Sequence, residues 1–265
     1  ISARTGLQQG QVLDAIFTLN FSKRLNLSIA YKGLRSLGRY LRSLSSNGNF
    51  RTTMSYRTPK DQYRLRMHIT FQDFFNEENG GIENVDNFES NSDNFQNREN
   101  IDVNLEDTDN KLKGTRLYLD HNYKLFSSKD STGQKDFNNL KLGHIFNVEK
   151  KSYNFSQSIA TPEYFGNSFN INEINENSEN LLTNNQAYLE FNSKYILGTF
   201  KAKANYTTVN YGYDSIYNSN IGLSKTKLTG NAVSVGAEWK GKIGGFQVDA
   251  DANLTPGQGY LAGNY

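Results

Sequence analysis

Four arginines are spaced so that their side chains would share one face of a β-hairpin: Arg51, Arg57, Arg64 and Arg66. Successive side chains of a strand alternate between its two faces, so residues at even separation lie on the same face. Arg51 and Arg57, before the turn near residue 60, are an even number of positions apart, and so are Arg64 and Arg66 after it. Guanidinium groups are permanently charged and must meet water or carboxylates. We therefore predict that these arginines, with Lys32 from the neighbouring strand, line the lumen of a pore.

Charge is segregated along the first half of the chain. Residues 23–66 contain 11 lysines and arginines against one acid, whereas residues 73–109 contain 12 acids against one arginine. An acidic loop folded inward against the arginines would create a transverse field, and rings of charge set the sign of the ions that a pore prefers. Alternatively, the arginines only solvate a wet interior and the acidic segment is an exposed loop. The sequence leaves both interpretations open.

The other polar residues do not form a recognisable catalytic or metal site. The acidic segment offers oxygen ligands of the kind that Ca²⁺ takes, but without the twelve-residue spacing of an EF-hand. His68, near Ser55 and Asp73, is the one conceivable base of a barrel hydrolase, and no GxSxG motif accompanies it. His121 and His144 fall in the apolar phase of adjacent strands, and two histidines without a third ligand make a poor zinc site. We predict no enzyme, no metal and no cofactor.

Composition excludes several further classes. No stretch approaches the roughly 20 apolar residues that a membrane-spanning helix needs. The chain has no cysteine, which removes disulfides, thiolate metal sites and cysteine nucleophiles. Its net charge is only +2 because the basic and acidic segments balance, so nucleic acid is not a predicted partner.

Apolar and polar residues alternate in runs that are typical of two-faced β-strands. The clearest run covers residues 63–71, where every odd residue is apolar and every even residue is polar. Comparable apolar phases run over 13–21 and 246–254, and we predict that all three face lipid. The whole pattern gives about ten strands in five hairpins, most of them with the 9–11 residues of a tilted membrane strand. Only 36% of the residues are hydrophobic. This share does not exclude a membrane protein, because only one face of each barrel strand is apolar.

Short and long connections alternate strictly in this prediction. The short ones are centred near residues 23, 60, 132, 196 and 243, and the long loops lie near 34–48, 74–114, 159–185 and 213–229. Outer-membrane barrels pair tight periplasmic turns with long external loops, whereas a soluble β-sandwich or barrel has no reason to place every long loop at one end. Aromatic residues next to the short turns are predicted to form an interfacial girdle: Tyr56, Tyr63, Tyr123, Phe126, Tyr195 and Trp239.

Several phrases of the sequence resemble the putative porin family of Bacteroidota outer membranes. They are GLQQGQ at 6–11, YKGLRSLG at 31–38, NEENGG at 76–81, LKGTR at 112–116, KKSY at 150–153, FGNSF at 165–169 and LTG at 228–230. The resemblance spans most of the chain and implies the outer membrane of a Gram-negative bacterium, a barrel of more than ten strands and no catalytic residues.

The ends of the chain add an expectation about barrel closure. The first residues show neither an initiator methionine nor an apolar signal core, and no clear final strand precedes Tyr265. We therefore expect one β-barrel region over 1–265 that is a fragment of a longer chain. Its sheet should stay open, with the end strands bonded to further chain.

The combined prediction is an all-β, antiparallel up-and-down transmembrane β-barrel. Its predicted function is that of a porin-like channel for passive diffusion of small hydrophilic solutes, with lipid and solutes as partners. The alternative is a non-conducting barrel that serves as a scaffold or docking subunit of a multiprotein outer-membrane complex, in contact with other outer-membrane proteins or surface lipoproteins.

Overall fold

The computed structural model is an antiparallel, up-and-down β-sheet, as predicted. It describes residues 1–6, 10–90, 92–128, 138–167, 172–218, 222–256 and 260–264; the side chains of Lys194, 214–218, 222–226 and 260–264 lie outside the description. Each strand pairs with the strands that precede and follow it. The strands are β1 (Ser2–Thr5), β2 (Gln11–Ser22), β3 (Leu25–Ser36), β4 (Ser45–Arg57), β5 (Tyr63–Glu78), β6 (Thr108–Ser128), β7 (Asn138–Gln157), β8 (Ile174–Ser193), β9 (Gly198–Asn218), β10 (Gly222–Ile243), β11 (Phe246–Thr255) and β12 (Tyr260–Asn264).

Short helices interrupt two of the connections. The helices are α1 (Val85–Glu89), α2 (Asp93–Gln96) and α3 (Pro162–Phe165), with 3₁₀ turns at Arg98–Asn100 and Lys194–Ile196.

The described residues form twelve strands rather than ten. The additional strands β1 and β12 have four and five residues, too few for alternation to reveal them. β2 pairs with β1 and β3, and β11 pairs with β10 and β12. Residues 11–21 and 246–254 therefore do not seal a ten-stranded ring, which confirms that part of the prediction.

Cross-strand register divides the sheet into an apolar face and a polar face. Residues directly opposite each other in neighbouring strands share a face. The register, followed from strand to strand, places the alternating apolar residues of three runs on one face: 13–19 of β2, 63–71 of β5 and 246–254 of β11. We call this the apolar face; the polar face carries the even residues of β5, including Arg64, Arg66 and His68.

The apolar face is exposed on the isolated chain. Phe17, Val233 and Phe246 are 58%, 54% and 78% exposed, and four described hydrophobic side chains are buried: Ile101, Val103, Leu105 and Tyr188. A soluble β-sandwich buries one sheet against another, and the single described sheet has no such second layer. The soluble sandwich alternative is therefore wrong.

Strands continue further than the alternation predicted. The connections between β3 and β4, β5 and β6, and β7 and β8 cover only residues 37–44, 79–107 and 158–173, and β9 and β10 occupy most of 213–229. Beyond the apolar belt the alternation weakens or changes phase. In β9, for example, the apolar residues move from even positions to Val209, Tyr211 and Tyr213. The predicted short connection at 127–137 lies largely outside the described residues.

Two β-bulges change the predicted phase. Register shifts occur between Asn20 and Ser22 in β2 and between Lys124 and Phe126 in β6. Alternation continued from Tyr123 predicts Leu125 on the apolar face, but after the shift Phe126 pairs with Leu140 there. A bulge inserts one residue into one strand, which an analysis of one strand's alternation does not detect.

Candidate permeation surface

The predicted lumen residues all lie on the polar face. Lys32 is opposite Asn49, Arg51 is opposite Thr70, and Arg66 is opposite Asp120. The register also pairs Arg57 with Arg64 across the hairpin. The structure thus brings the five residues to one surface, and the hairpin positions their side chains as the even spacing required.

Arg57 and Arg64 differ from the others because they bind the short turns. Arg57 donates hydrogen bonds from Nε and Nη2 to the carbonyl oxygen of Lys23, at 3.4 and 3.1 Å. Arg64 donates to both carboxylate oxygens of Asp61, one of them at 2.7 Å. Asp61 has φ 55°, a conformation that Asp and Asn tolerate better than most residues. The hydrogen bond from Arg64 is the main reason that the pKa of Asp61 lies below its usual value.

Arg51 and Arg116 flank a groove in the middle of the polar face. Thr70 lies between them in register, with one arginine on each neighbouring strand. His68, the next residue of β5 on this face, stacks on Tyr118 with 5.0 Å between ring centroids. Arg116 donates from Nε to Asn147 Oδ1 at 2.8 Å. We call the concavity of about 440 Å³ around Arg51, His68, Thr70 and Arg116 the arginine groove.

The sequence prediction overlooked Arg116, although its position could have been found. Arg116 belongs to the polar phase of the run that contains Leu117 and Leu119. The alternation that placed the other arginines on the polar face also applies here.

The polar face between β7 and β11 carries charges that neutralise each other. Lys141 pairs with Glu190 at 2.6 Å. Lys201 lies between Glu190 and Glu238, at 3.9 and 3.6 Å. Further pairs continue the pattern, which we call the ion ladder: Lys240 with Glu238 and Asp249, and Lys203 with Asp251.

The acidic segment meets a different arginine from the predicted ones. Arg42 donates to Glu77 at 2.7 Å and to Asp109 at 2.6 Å, where β5 ends and β6 begins. The buried residues Ile101, Val103 and Leu105 give the loop between them a small core. Among the described residues, no carboxylate of residues 79–107 forms an ion pair with the four predicted arginines. The described contacts therefore give no support to the inward-folded acidic loop.

Comparison with known proteins agrees with this architecture. The sequence matches the model of a family described as putative porin over residues 1–265. The chain belongs to the putative porin family. Among solved structures, the chain resembles that of the ferric citrate transporter FecA in the unliganded form, with 9% identity, a TM-score of 0.45, and coverage of 95% of this chain and 42% of the transporter. The chain thus spans less than half of the transporter's length. No curated protein matches the sequence.

Membership of the putative porin family points to a porin-like channel rather than an enzyme. The structure also places the residues of the one conceivable hydrolase arrangement. His68 lies on the polar face, whereas Asp73, at odd separation in the same strand, lies on the apolar face. The conceivable Ser55–His68–Asp73 arrangement is therefore not assembled.

His121 and His144 lie opposite each other on the apolar face, as the sequence predicted. His121 Nε2 is 3.2 Å from His144 Nδ1, and the Tyr63 hydroxyl is 3.3 Å from His121 Nδ1. Within the described residues, no three His, Cys, Asp or Glu side chains are grouped closely enough to hold a metal ion. In the same part of the chain, no helix has the length and apolarity needed to cross a bilayer.

Proposed function

We propose that the protein forms the wall of a passive channel in the outer membrane of a Gram-negative bacterium, through which small hydrophilic solutes diffuse. The observation that carries the proposal is the opposition of an exposed apolar face to a charged polar face on one sheet. The apolar face gains free energy when a non-aqueous medium covers it, at about 25 cal/mol per Å². Lipid supplies that medium, and the polar face then meets a water-filled lumen.

The aromatic residues next to the short turns support this placement. Tyr56 and Tyr63 are 6.5 Å apart between ring centroids, beside the turn that joins β4 and β5. Trp239 donates from Nε1 to the carbonyl oxygen of Ile196 at 2.9 Å, in the short connection between β8 and β9. Amphipathic rings of this kind concentrate at the membrane interface, so this end of the sheet would lie at the level of the lipid headgroups.

Transport by such a wall requires no covalent chemistry. The arginine groove and the ion ladder keep the polar face hydrated, and water beside them offers solutes a continuous aqueous path. The groove contributes positive potential, whereas the ladder contributes little because its charges are paired. A preference for anions follows from this asymmetry.

Liposome swelling tests passive diffusion directly. Vesicles that contain the full-length protein should swell in isotonic solutions of neutral sugars, at rates that fall steadily with sugar size. The rates should rise linearly with the sugar gradient because diffusion through a wet lumen does not saturate. Swelling no faster than that of protein-free vesicles, with the protein folded in the membrane, would contradict the proposal.

A scaffold is the second candidate, favoured by the loops. Apolar side chains are exposed on two connections whose strands lie side by side: Val85 and Ile159 are 59% and 74% exposed. The connections also contact each other, since Tyr164 donates to the carbonyl oxygen of Gly80 at 3.2 Å. Such a surface suits contact with a surface lipoprotein or another outer-membrane protein. Chemical crosslinking in intact cells that traps such a partner, together with a null swelling assay, would favour this function.

A further inference from the structure

We propose that the arginine groove is a binding site for a phosphate group, carried by inorganic phosphate or by a small phosphorylated solute. The inference rests on the proposed function in one respect, since it names the solute class for which a channel would be selective. Binding itself does not require conduction.

The first argument is the geometry of the donors. Neighbouring strands are about 4.8 Å apart, so the backbones of Arg51 and Arg116, two strands apart, are separated by about 10 Å. Both long side chains border the same concavity, with Thr70 between them and His68 one row nearer the short turns. Nε of Arg116 is bound to Asn147 on β7, so its terminal Nη groups are the donors that this arginine can offer to a ligand. Guanidinium, imidazole and hydroxyl donors around one concavity suit the oxygen atoms of a phosphate group.

The second argument is that the arginines of the groove form no ion pair with a described carboxylate. On the ion ladder each described lysine has a carboxylate within 4 Å. No described carboxylate lies within that distance of Arg51, Arg66 or Arg116. Permanently charged groups that share one concavity repel each other, and a bound anion removes this repulsion.

One carboxylate, that of Glu149, borders the groove, and that of Asp120 lies on the same polar face, in β6. Glu149 is opposite Arg116 in register but pairs with Lys151 at 2.7 Å. Asp120 is opposite Arg66 and accepts a hydrogen bond from the Tyr188 hydroxyl at 3.4 Å. The residues that border the groove include two arginines, Arg51 and Arg116, against the single carboxylate of Glu149, so the groove keeps an excess positive charge for a ligand.

The border of the groove includes a glycine whose replacement would disturb the lining. Gly114 borders the same concavity as Gln72 and Thr115. A Cβ atom at Gly114 would lie 3.2 Å from Gln72 Oε1, tighter than an ordinary contact, so a larger residue here would displace the amide.

Calorimetric titration of the full-length protein, folded in detergent, with inorganic phosphate tests the site without requiring transport. We expect saturable binding by the wild type and at least tenfold weaker binding by the double variant Arg51→Gln and Arg116→Gln. The lysine variant R51K/R116K keeps the charge but loses the fork geometry, so its affinity should be intermediate. Circular dichroism and heat-modifiability on gels confirm that each variant is folded.

The matched control is the double variant Lys111→Gln and Lys113→Gln, which removes the same charge from the apolar face of β6. It should bind phosphate as the wild type does. Equal weakening in this control, or no saturable binding by the wild type, would overturn the inference.

Bilayer recordings on the same preparation separate the inference from the proposed function. A protein that carries chloride current but binds no phosphate would refute the site and leave the channel intact. Phosphate binding that depends on Arg51 and Arg116, in a protein that carries no current, would support the site and refute the channel.

Discussion

Arginine introduced on either side of one strand should distinguish the lipid-facing surface from the lumen surface. Ala204 and Asn205 are adjacent residues of β9 on opposite faces. Ala204 is opposite Ala187 and Val235 on the apolar face, and Asn205 is opposite Gln186 and Ser234 on the polar face. The variants Ala204→Arg and Asn205→Arg thus insert the same side chain at the same depth.

The expected magnitude follows from depth. Ala204 is six residues beyond the start of β9 at Gly198. At about 3.3 Å per residue and a tilt of about 40°, this distance corresponds to roughly 15 Å along the membrane normal, close to the midplane of an apolar band about 25 Å tall. Arginine facing lipid at the midplane costs about 2–4 kcal/mol, whereas a lumen-facing substitution keeps its water. We expect that cost at Ala204 and less than about 1 kcal/mol at Asn205.

A depth series strengthens the test. Leu65 and Val248 lie on the same apolar face but only two residues from the starts of β5 and β11, about 5 Å from the interface by the same arithmetic. Arginine at these positions should therefore cost less than at Ala204. Urea titrations of refolding into lipid vesicles give the free energies of unfolding. Equal costs at Ala204 and Asn205, or a larger cost at Asn205, would refute the assignment of the faces.

Three further predictions concern the polar face and its turns. Gly143→Ala should lower the free energy of unfolding by about 1–3 kcal/mol, because the added Cβ would overlap the Tyr188 ring; Gly230→Ala, where nothing lies within 4 Å, is the matched control for the same titration. Asp61→Asn keeps a residue that tolerates the left-handed turn and removes the charge that Arg64 binds, so it should cost under about 1 kcal/mol at neutral pH. The pKa of Asp61 is lowered in the folded protein. The stabilisation by its charge is therefore complete above the unfolded pKa of about 3.9 and is lost as the pH falls through the folded pKa. If the wild type remained more stable than Asp61→Asn below that pH range, this assignment would be contradicted. Finally, glutamine should replace the four arginines predicted from sequence: Arg51, Arg57, Arg64 and Arg66. The reversal potentials of this variant should shift away from anion selectivity, most clearly at low salt. Unchanged potentials with intact conductance would place these residues outside the permeation path.

The faces of the sheet could be predicted from sequence because alternation is a local property. Each run, such as 63–71, specifies its own two faces, and pairing neighbouring runs specifies the antiparallel order. Strand ends could not be predicted in the same way. Residues 178–184 of β8 pair with 207–213 of β9. In β9 the apolar residues change from even positions before residue 207 to Val209, Tyr211 and Tyr213 after it, so the alternation breaks before the strand ends.

The candidate site was predictable as a surface but not as a set of contacts. Even spacing placed Arg57 and Arg64 on the polar face, yet their roles at the turns depend on the carbonyl of Lys23 and the carboxylate of Asp61. The ion ladder depends on the register of five consecutive strands, β7 to β11, so no single segment reveals it. Arg42 lies in the connection between β3 and β4, whereas Glu77 lies in β5 and Asp109 in β6. Only the folded strand ends bring the three side chains together.

Conductance of the full-length protein in a planar lipid bilayer tests the central claim most directly. Purified protein whose folding has been verified by heat-modifiability should produce discrete current steps, with a linear current–voltage relation and reversal potentials that favour anions in a salt gradient. Folded protein that inserts into the bilayer and produces no current above that of the bare membrane would contradict the channel.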